Sequence, residues 1–175
     1  MLGKLMEIEG LSELELLNLH ADALEELRRR GTIRSSNNPV GDYAETLFCR
    51  AFGWEQAPNS EKDADAIGGD GVRYQIKGRR LTRHNGSRQL GALRRLPEKN
   101  FDVLAGVLFK EDFSVLRAAL VPHAVVAERA SYVEATNSWR LLLKDDIWNC
   151  SGVVDVTTEI AAAAGNENVA NAEGK

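Results

Sequence analysis

The chain is short of cysteine and aromatic residues and has no long apolar run. Its two cysteines, Cys49 and Cys150, stand 101 positions apart in 175 residues. They have neither the density of a disulfide framework nor the spacing of a thiolate metal site. Buried or incidental thiols in a reducing compartment follow, and a cytoplasmic location is expected. No apolar stretch reaches the roughly 20 residues that cross a bilayer, so no membrane partner is expected. Met1-Leu-Gly-Lys carries no signal-peptide pattern. Internal repeats are missing, and so is any sign of a second globular unit. The charged and hydrophobic fractions, 27% and 43%, are ordinary for a single domain with a real core.

What is present is a concentration of positive charge. Between Val72 and Lys99 lie Arg73, Lys77, Arg79, Arg80, Arg83, Arg88, Arg94, Arg95 and Lys99, opposed only by Glu98. The segment carries +8 in a chain whose net charge is −4, so the remainder carries −12. A local patch of this kind points to an anionic partner despite the acidic whole.

In chain order, Ser12 and Glu15 form a capping box for a helix over 12–30 that ends in Arg28-Arg29-Arg30 and Gly31. Its stripe Leu14, Leu17, Ala21 and Leu24 packs either on the domain or on a second copy of the helix. Asn38-Pro39 predicts a second helix start. That helix runs to about Phe52 and ends at Gly53, with Ala44, Leu47, Phe48, Ala51 and Phe52 inward. Glu45 flanks this stripe, about 100° round the axis from Ala44, and Asp42 lies further toward solvent. A loop over 54–62 follows.

The most informative stretch is Asp63-Ala-Asp65-Ala-Ile-Gly-Gly-Asp-Gly-Val-Arg-Tyr-Gln75-Ile-Lys77. Gly69-Asp70-Gly71 reads as a three-residue hairpin loop with Gly71 left-handed. That loop sets Gly68 opposite Val72, Asp65 opposite Gln75 and Asp63 opposite Lys77. Val72, Tyr74 and Ile76 then share one face, and Arg73, Gln75 and Lys77 the other. A mobile arginine-rich loop from Gly78 and a short helix or turn before Glu98 are expected next. Phe101–Phe109 reads as a buried central strand and 113–121 as its neighbour. A helix over 123–130, a strand over 139–143 and a turn that lays Trp148 on the core complete the pattern. From Ile160 the composition promises no core. The expected division is an N-terminal helix and connector (1–37), a core (38–160) and a flexible tail (161–175).

A helix glutamate, a strand aspartate and a following strand of the form x-Ile-Lys resemble the PD-(D/E)XK nuclease superfamily over about 38–121. The resemblance implies an α/β restriction-endonuclease-like core, a mixed central sheet flanked by helices, with an extra N-terminal helix. It implies a metal-dependent endonuclease that hydrolyses DNA phosphodiesters, in restriction or defence. Glu45, Asp65, Gln75 and Lys77 would be catalytic. Asp65, Gln75 and Glu45 would hold Mg²⁺ or Mn²⁺, and Lys77 would orient water and offset charge on the phosphate. Arg79, Arg80, Arg83, Arg88, Arg94 and Arg95 would contact the nucleic acid, with DNA as partner. The chain departs from the pattern at two positions: Gln75 stands where the family places an acid, and Ala64 where it places proline. The alternatives are a DNA-binding subunit on a nuclease fold that no longer cuts, and an interaction protein that homodimerises through the N-terminal helix.

Overall fold

The computed structural model describes residues 8–58 and 64–165. Asp63 and the end of the expected tail, 166–175, lie outside the described residues. A six-stranded mixed sheet forms the centre, with strand order β1-β2-β3-β4-β5-β8. These strands are β1 (Glu55–Gln56), β2 (Ala66–Ile67), β3 (Arg73–Arg80), β4 (Val103–Phe109), β5 (Val115–Pro122) and β8 (Val154–Asp155). The strands β1 to β3 form an antiparallel meander, β4 runs parallel to β3, and β5 and β8 return antiparallel. A separate pair, β6 (Ser131–Val133) with β7 (Ser138–Arg140), lies outside this sheet.

The central strand β4 is nearly all apolar because both of its faces are covered. Ala105, Val107 and Phe109 pack with Tyr74 and Ile76 beneath α2 (Val40–Phe52) and α4 (Thr157–Gly165). Leu104 and Leu108 face a second core built from Leu90, Leu93, Leu96, Phe101, Leu141, Leu143 and Ile147, with Val126 of α3 (His123–Arg129). The alternation along β3 therefore sends Tyr74 and Ile76 toward α2, and Gln75 and Lys77 toward the 88–100 segment.

α2 sits unusually close to β3. A Cβ on Gly78 would lie 3.0 Å from the Ala44 Cβ and 3.0 Å from the Val40 carbonyl oxygen. Glycine permits that approach, and the approach fixes the height of Glu45 above the sheet. Stacked rings anchor the other end of α2: Trp54 lies on Tyr74 with centroids 3.6 Å apart, and Phe52 and Phe48 stack on Trp54. Gly53 closes the helix at φ +66°.

The expected hairpin register is present. Ala66 pairs with Tyr74 and Ile67 with Arg73, and Gly71 has φ +81°. Several other expectations are corrected. The 54–62 loop contains β1, because the backbone at 55–56 pairs with β2. Arg79 and Arg80 belong to β3, whose ladder with β4 extends to Arg80↔Phe109. The stretch before Glu98 is extended, not helical. It is pinned by bridges from Gln89 to Leu142 and from Leu93 to Trp139, with a 3₁₀ turn only at Leu96–Glu98. The strand expected over 139–143 is shorter and pairs with β6 instead of joining the central sheet. The boundary placed after residue 160 falls inside α4, where Ile160 and Ala163 are buried against α2 and β5. Alanines with a single isoleucine suffice there because the helix contacts the core along one narrow line.

The N-terminal helix α1 (Glu13–Arg29) has the expected capping box: the Glu15 amide donates to Ser12 Oγ, and the Ser12 amide donates to the Glu15 carboxylate. It buries no residue. Leu14 and Leu17 are about two-thirds exposed, at 67% and 65%. Leu24 and Leu27 instead line a cleft against Ile33, Tyr43 and Phe113. No helix among the described residues is long and apolar enough to cross a membrane.

Candidate functional site at the open edge of β3

β2 is two residues long and β3 is eight, so among the described residues the outer edge of β3 has no strand partner beyond Gln75. Asp65, in the bend just before β2, occupies that edge. Its amide donates to the Tyr74 carbonyl at 2.8 Å, and its Oδ2 accepts the Ile76 amide at 2.6 Å. The same oxygen accepts Gln75 Nε2. The carboxylate thus takes the place of the missing strand, satisfying a backbone donor that would otherwise be left open.

Glu45 approaches from the α2 side. Its Oε2 accepts Arg34 Nη2 at 2.7 Å and Gln56 Nε2 at 2.9 Å. Burial pushes the Glu45 pKa up, the nearby Asp65 carboxylate adds to the rise, and the bonds from Gln56 and Arg34 oppose it. Cys49, one turn further along the helix, is raised to about 11 by burial and then by the Glu45 charge, so its thiol is inert at neutral pH. Arg34 is held in turn: Nη1 donates to the Ala57 carbonyl at 3.1 Å, and its amide donates to Asp42 Oδ2 at 2.8 Å. Asp42 is not turned to solvent as its helical position suggested. It is half-buried and also accepts the Ser35 amide at 2.7 Å. Burial alone would raise the Asp42 pKa, but the Ser35 and Arg34 amides, with Ser35 Oγ and the Arg34 charge, lower it.

Lys77 lies on the other face of the sheet. It lines a cleft of about 470 Å³ with Gln75, Ala92, Arg94, Arg95 and Asn100, and a Cβ on Gly91 would touch its stem at 3.6 Å. The four expected residues therefore fall into two linked groups. Glu45 and Asp65 share one electrostatic field on the edge, and Gln75 and Lys77 share the cleft. Gln75 joins them, bonded to Asp65 and lining the cleft. No hydrogen bond or ion pair links Lys77 to Glu45 among the described residues.

Among the described residues, no cluster of three or more acidic, histidine or cysteine side chains surrounds a common point. The donors that a hard dication would find are Asp65, Glu45 and the Gln75 carboxamide oxygen. The set suits one oxygen-bound ion that keeps several waters, and the mutual repulsion of the two carboxylates is what a cation there would relieve. Arg34 already supplies one positive charge to Glu45.

The arginine run is not a free cationic surface. Arg73 pairs with Asp102, Arg83 with Glu111, Arg88 with Asp145 and Arg95 with Glu98. Arg79 donates to the Ser87 carbonyl, and Arg80 donates to the Glu111 carbonyl while lying 4.3 Å over the Phe113 ring. Arg94 is exposed beside Lys77, and Arg95 beside it. Sequence reasoning missed Arg34, Gln56 and Asn100. Each reaches the site through a tertiary contact, and none stands at a spacing that marks it.

Fold and site together define a mixed α/β protein with an acid pair at a sheet edge and a cationic cleft behind it. No family model matches the chain, and no curated protein matches it.

Proposed function

We propose that this protein is a metal-dependent nuclease of PD-(D/E)XK type, with a restriction-endonuclease-like core, acting on DNA phosphodiesters. The observation that carries the reading is Gln75, whose carboxamide joins the acid pair Asp65 and Glu45 to the cleft of Lys77. An ion bound by Asp65, Glu45 and Gln75 would lower the pKa of its water and draw charge from the phosphate. The protein's own part is to present the Lys77 ammonium to the phosphate oxygens and to guide the strand with Arg94 and Arg95. The test is nicking of supercoiled plasmid with Mg²⁺ or Mn²⁺ at low salt. Wild type should cut, and Lys77→Ala should lose about 100-fold or more, the scale of losing one charge-stabilising donor. If neither protein cuts, the enzyme reading fails.

A second reading has its own observation. The Arg34 guanidinium sits on Glu45 and the Gln75 amide on Asp65, so the edge is held together without a dication. That arrangement favours a DNA-binding subunit on a nuclease fold that does not cleave. Lys77 and Arg94 line the cleft with Arg95, which is shared with Glu98, and each phosphate neutralised there adds about −0.9 to the log–log salt slope. Binding that is insensitive to salt sinks both readings. The exposed Leu14–Leu17 face of α1 supports the proposed homodimer, which sedimentation at several concentrations tests directly.

A further inference from the structure

The cleft behind Lys77 contains a group that phosphodiester chemistry leaves unused. Asn100 is 7% exposed, and its Oδ1 is sealed from solvent with no hydrogen-bond partner among the described residues. Buried polar atoms are nearly always bonded, and an apolar residue of the same size would fill this position at lower cost. A purely structural role therefore explains Asn100 poorly. Among the described residues its neighbours around the cleft are Gln75, Lys77, Ala92, Arg94 and Arg95, the last of them paired with Glu98.

Lys and Arg offer donors only, whereas a carboxamide offers both a donor and an acceptor. A phosphate group answers the Lys77 and Arg94 cations, but the oxygens of a phosphodiester give nothing to a carbonyl acceptor. The occupant that answers both has an anionic group and, a few ångströms away, N–H or O–H donors. A nucleotide has that chemistry: phosphate at one end, base-edge and sugar donors at the other. The cleft volume, about 470 Å³, lies in the range of pockets that enclose small ligands. The wall that carries Asn100 is rigid. The 3₁₀ turn Leu96–Glu98 is flanked by Arg95 and Lys99 in left-handed backbone, at φ +54° and +51°. Buried Leu96 holds it below, and Arg73 Nη2 clamps the Lys99 carbonyl at 2.9 Å. Non-glycine residues keep such backbone only where the surroundings over-determine it.

We propose that this cleft is a single-nucleotide subsite, in which Lys77 and Arg94 take the phosphate and Asn100 swings in to hydrogen-bond the nucleoside. The proposal deepens the nucleic-acid reading above and rests on it. It makes Asn100 a residue that selects what lies beside the phosphate.

The experiment uses the full chain without metal, titrated calorimetrically with each of the four deoxynucleoside 5′-monophosphates and, separately, with inorganic phosphate. Wild type should bind at least one nucleotide more tightly than phosphate. Asn100→Leu should weaken that nucleotide about tenfold, the scale of one lost hydrogen bond to a neutral group, and leave phosphate unchanged. Its Tm should equal or exceed that of wild type, because a buried orphan has been removed. Lys77→Ala should weaken both ligands. Asn100→Ser, smaller and still polar, gives the same readout if the leucine variant does not fold. A lower Tm with unchanged nucleotide affinity makes Asn100 a structural residue and overturns the proposal, as does a wild type that binds no nucleotide at millimolar concentration. Because no cleavage is measured, a protein that binds through Asn100 but never cuts plasmid sinks the catalytic reading alone.

Discussion

Replacing Gly78 by alanine tests the packing that sets the site. The residue's φ is not left-handed, so the backbone accepts a side chain, and a stiffer unfolded chain favours the variant by about 0.4–1 kcal/mol. Against this, the new Cβ meets the Ala44 Cβ and the Val40 carbonyl at 3.0 Å and the Val40 Cγ1 at 3.2 Å. None of these is the loose end of a long side chain. β3 cannot retreat, because Gly78 is in ladder with Val107 of β4, so α2 must lift. Overpacking of this kind costs about 1–3 kcal/mol. The net loss of about 1–2 kcal/mol lowers Tm by about 2–8 °C for a chain of this size. Two controls rank the effect. At Gly106 the new Cβ meets the Leu143 Cδ2 at 3.1 Å, a leucine tip that can turn aside, so the loss is smaller. At Gly91 the nearest atom is the Lys77 Cδ at 3.6 Å, an ordinary contact, so the substitution should keep the gain of about 0.4–1 kcal/mol from the stiffer unfolded chain. Urea unfolding followed by tryptophan fluorescence gives the order. If Gly78→Ala is as stable as Gly91→Ala, the close approach of α2 to β3 is not what the geometry says. The lifted helix also carries Glu45 away from Asp65, so under the nuclease reading activity and metal affinity should fall by more than the loss of folded protein explains.

Two further outcomes follow from the edge. Arg34→Met strips Glu45 of its cation and should destabilise the fold at neutral pH by about 1–3 kcal/mol, the cost of leaving a buried polar group unsatisfied. In that variant the raised Glu45 pKa favours the protonated folded state, so part of the loss should return as pH falls through the folded-state value. Mn²⁺ should bind Arg34→Met more tightly than wild type under the nuclease reading, and unchanged Mn²⁺ affinity by calorimetry would remove Glu45 from the ligand set. Asp42 behaves in the opposite sense. Its lowered pKa gives stability that is present above the unfolded carboxylate value and lost as pH falls through the folded one. Asp42→Asn should therefore cost stability at pH 7 and little in strong acid, and an equal loss at both would mean the carboxylate charge is idle.

The local features were legible in the residues themselves. Ser12 and Glu15 name a helix start, and Gly53 and Gly71 name a stop and a turn. The apolar run at 101–109 names a strand covered on both faces, and the strand itself begins at Val103. Gly68-to-Val72 spacing also set the hairpin register, since a two-residue period leaves no freedom once the loop length is known. The errors came where pairing overrides composition. Arg79 and Arg80 read as loop, yet the ladder with β4 holds them in a strand. The alanines after Ile160 read as tail, yet α2 and β5 give them a surface to cover.

The amino-acid order alone decided which side chains alternate on β3 and which glycines turn the chain, because those properties depend on near neighbours. It did not decide that β2 would stop after two residues, leaving an edge for Asp65. Nor did it decide that Arg34 would reach Glu45, that acids and backbone carbonyls together would hold most of the arginine run, or that the Asn100 Oδ1 would be buried beside the Lys77 cleft with no partner among the described residues. Those facts depend on distances between residues far apart in sequence, and only the packing of α2 and the 88–100 segment against the two faces of one sheet sets them.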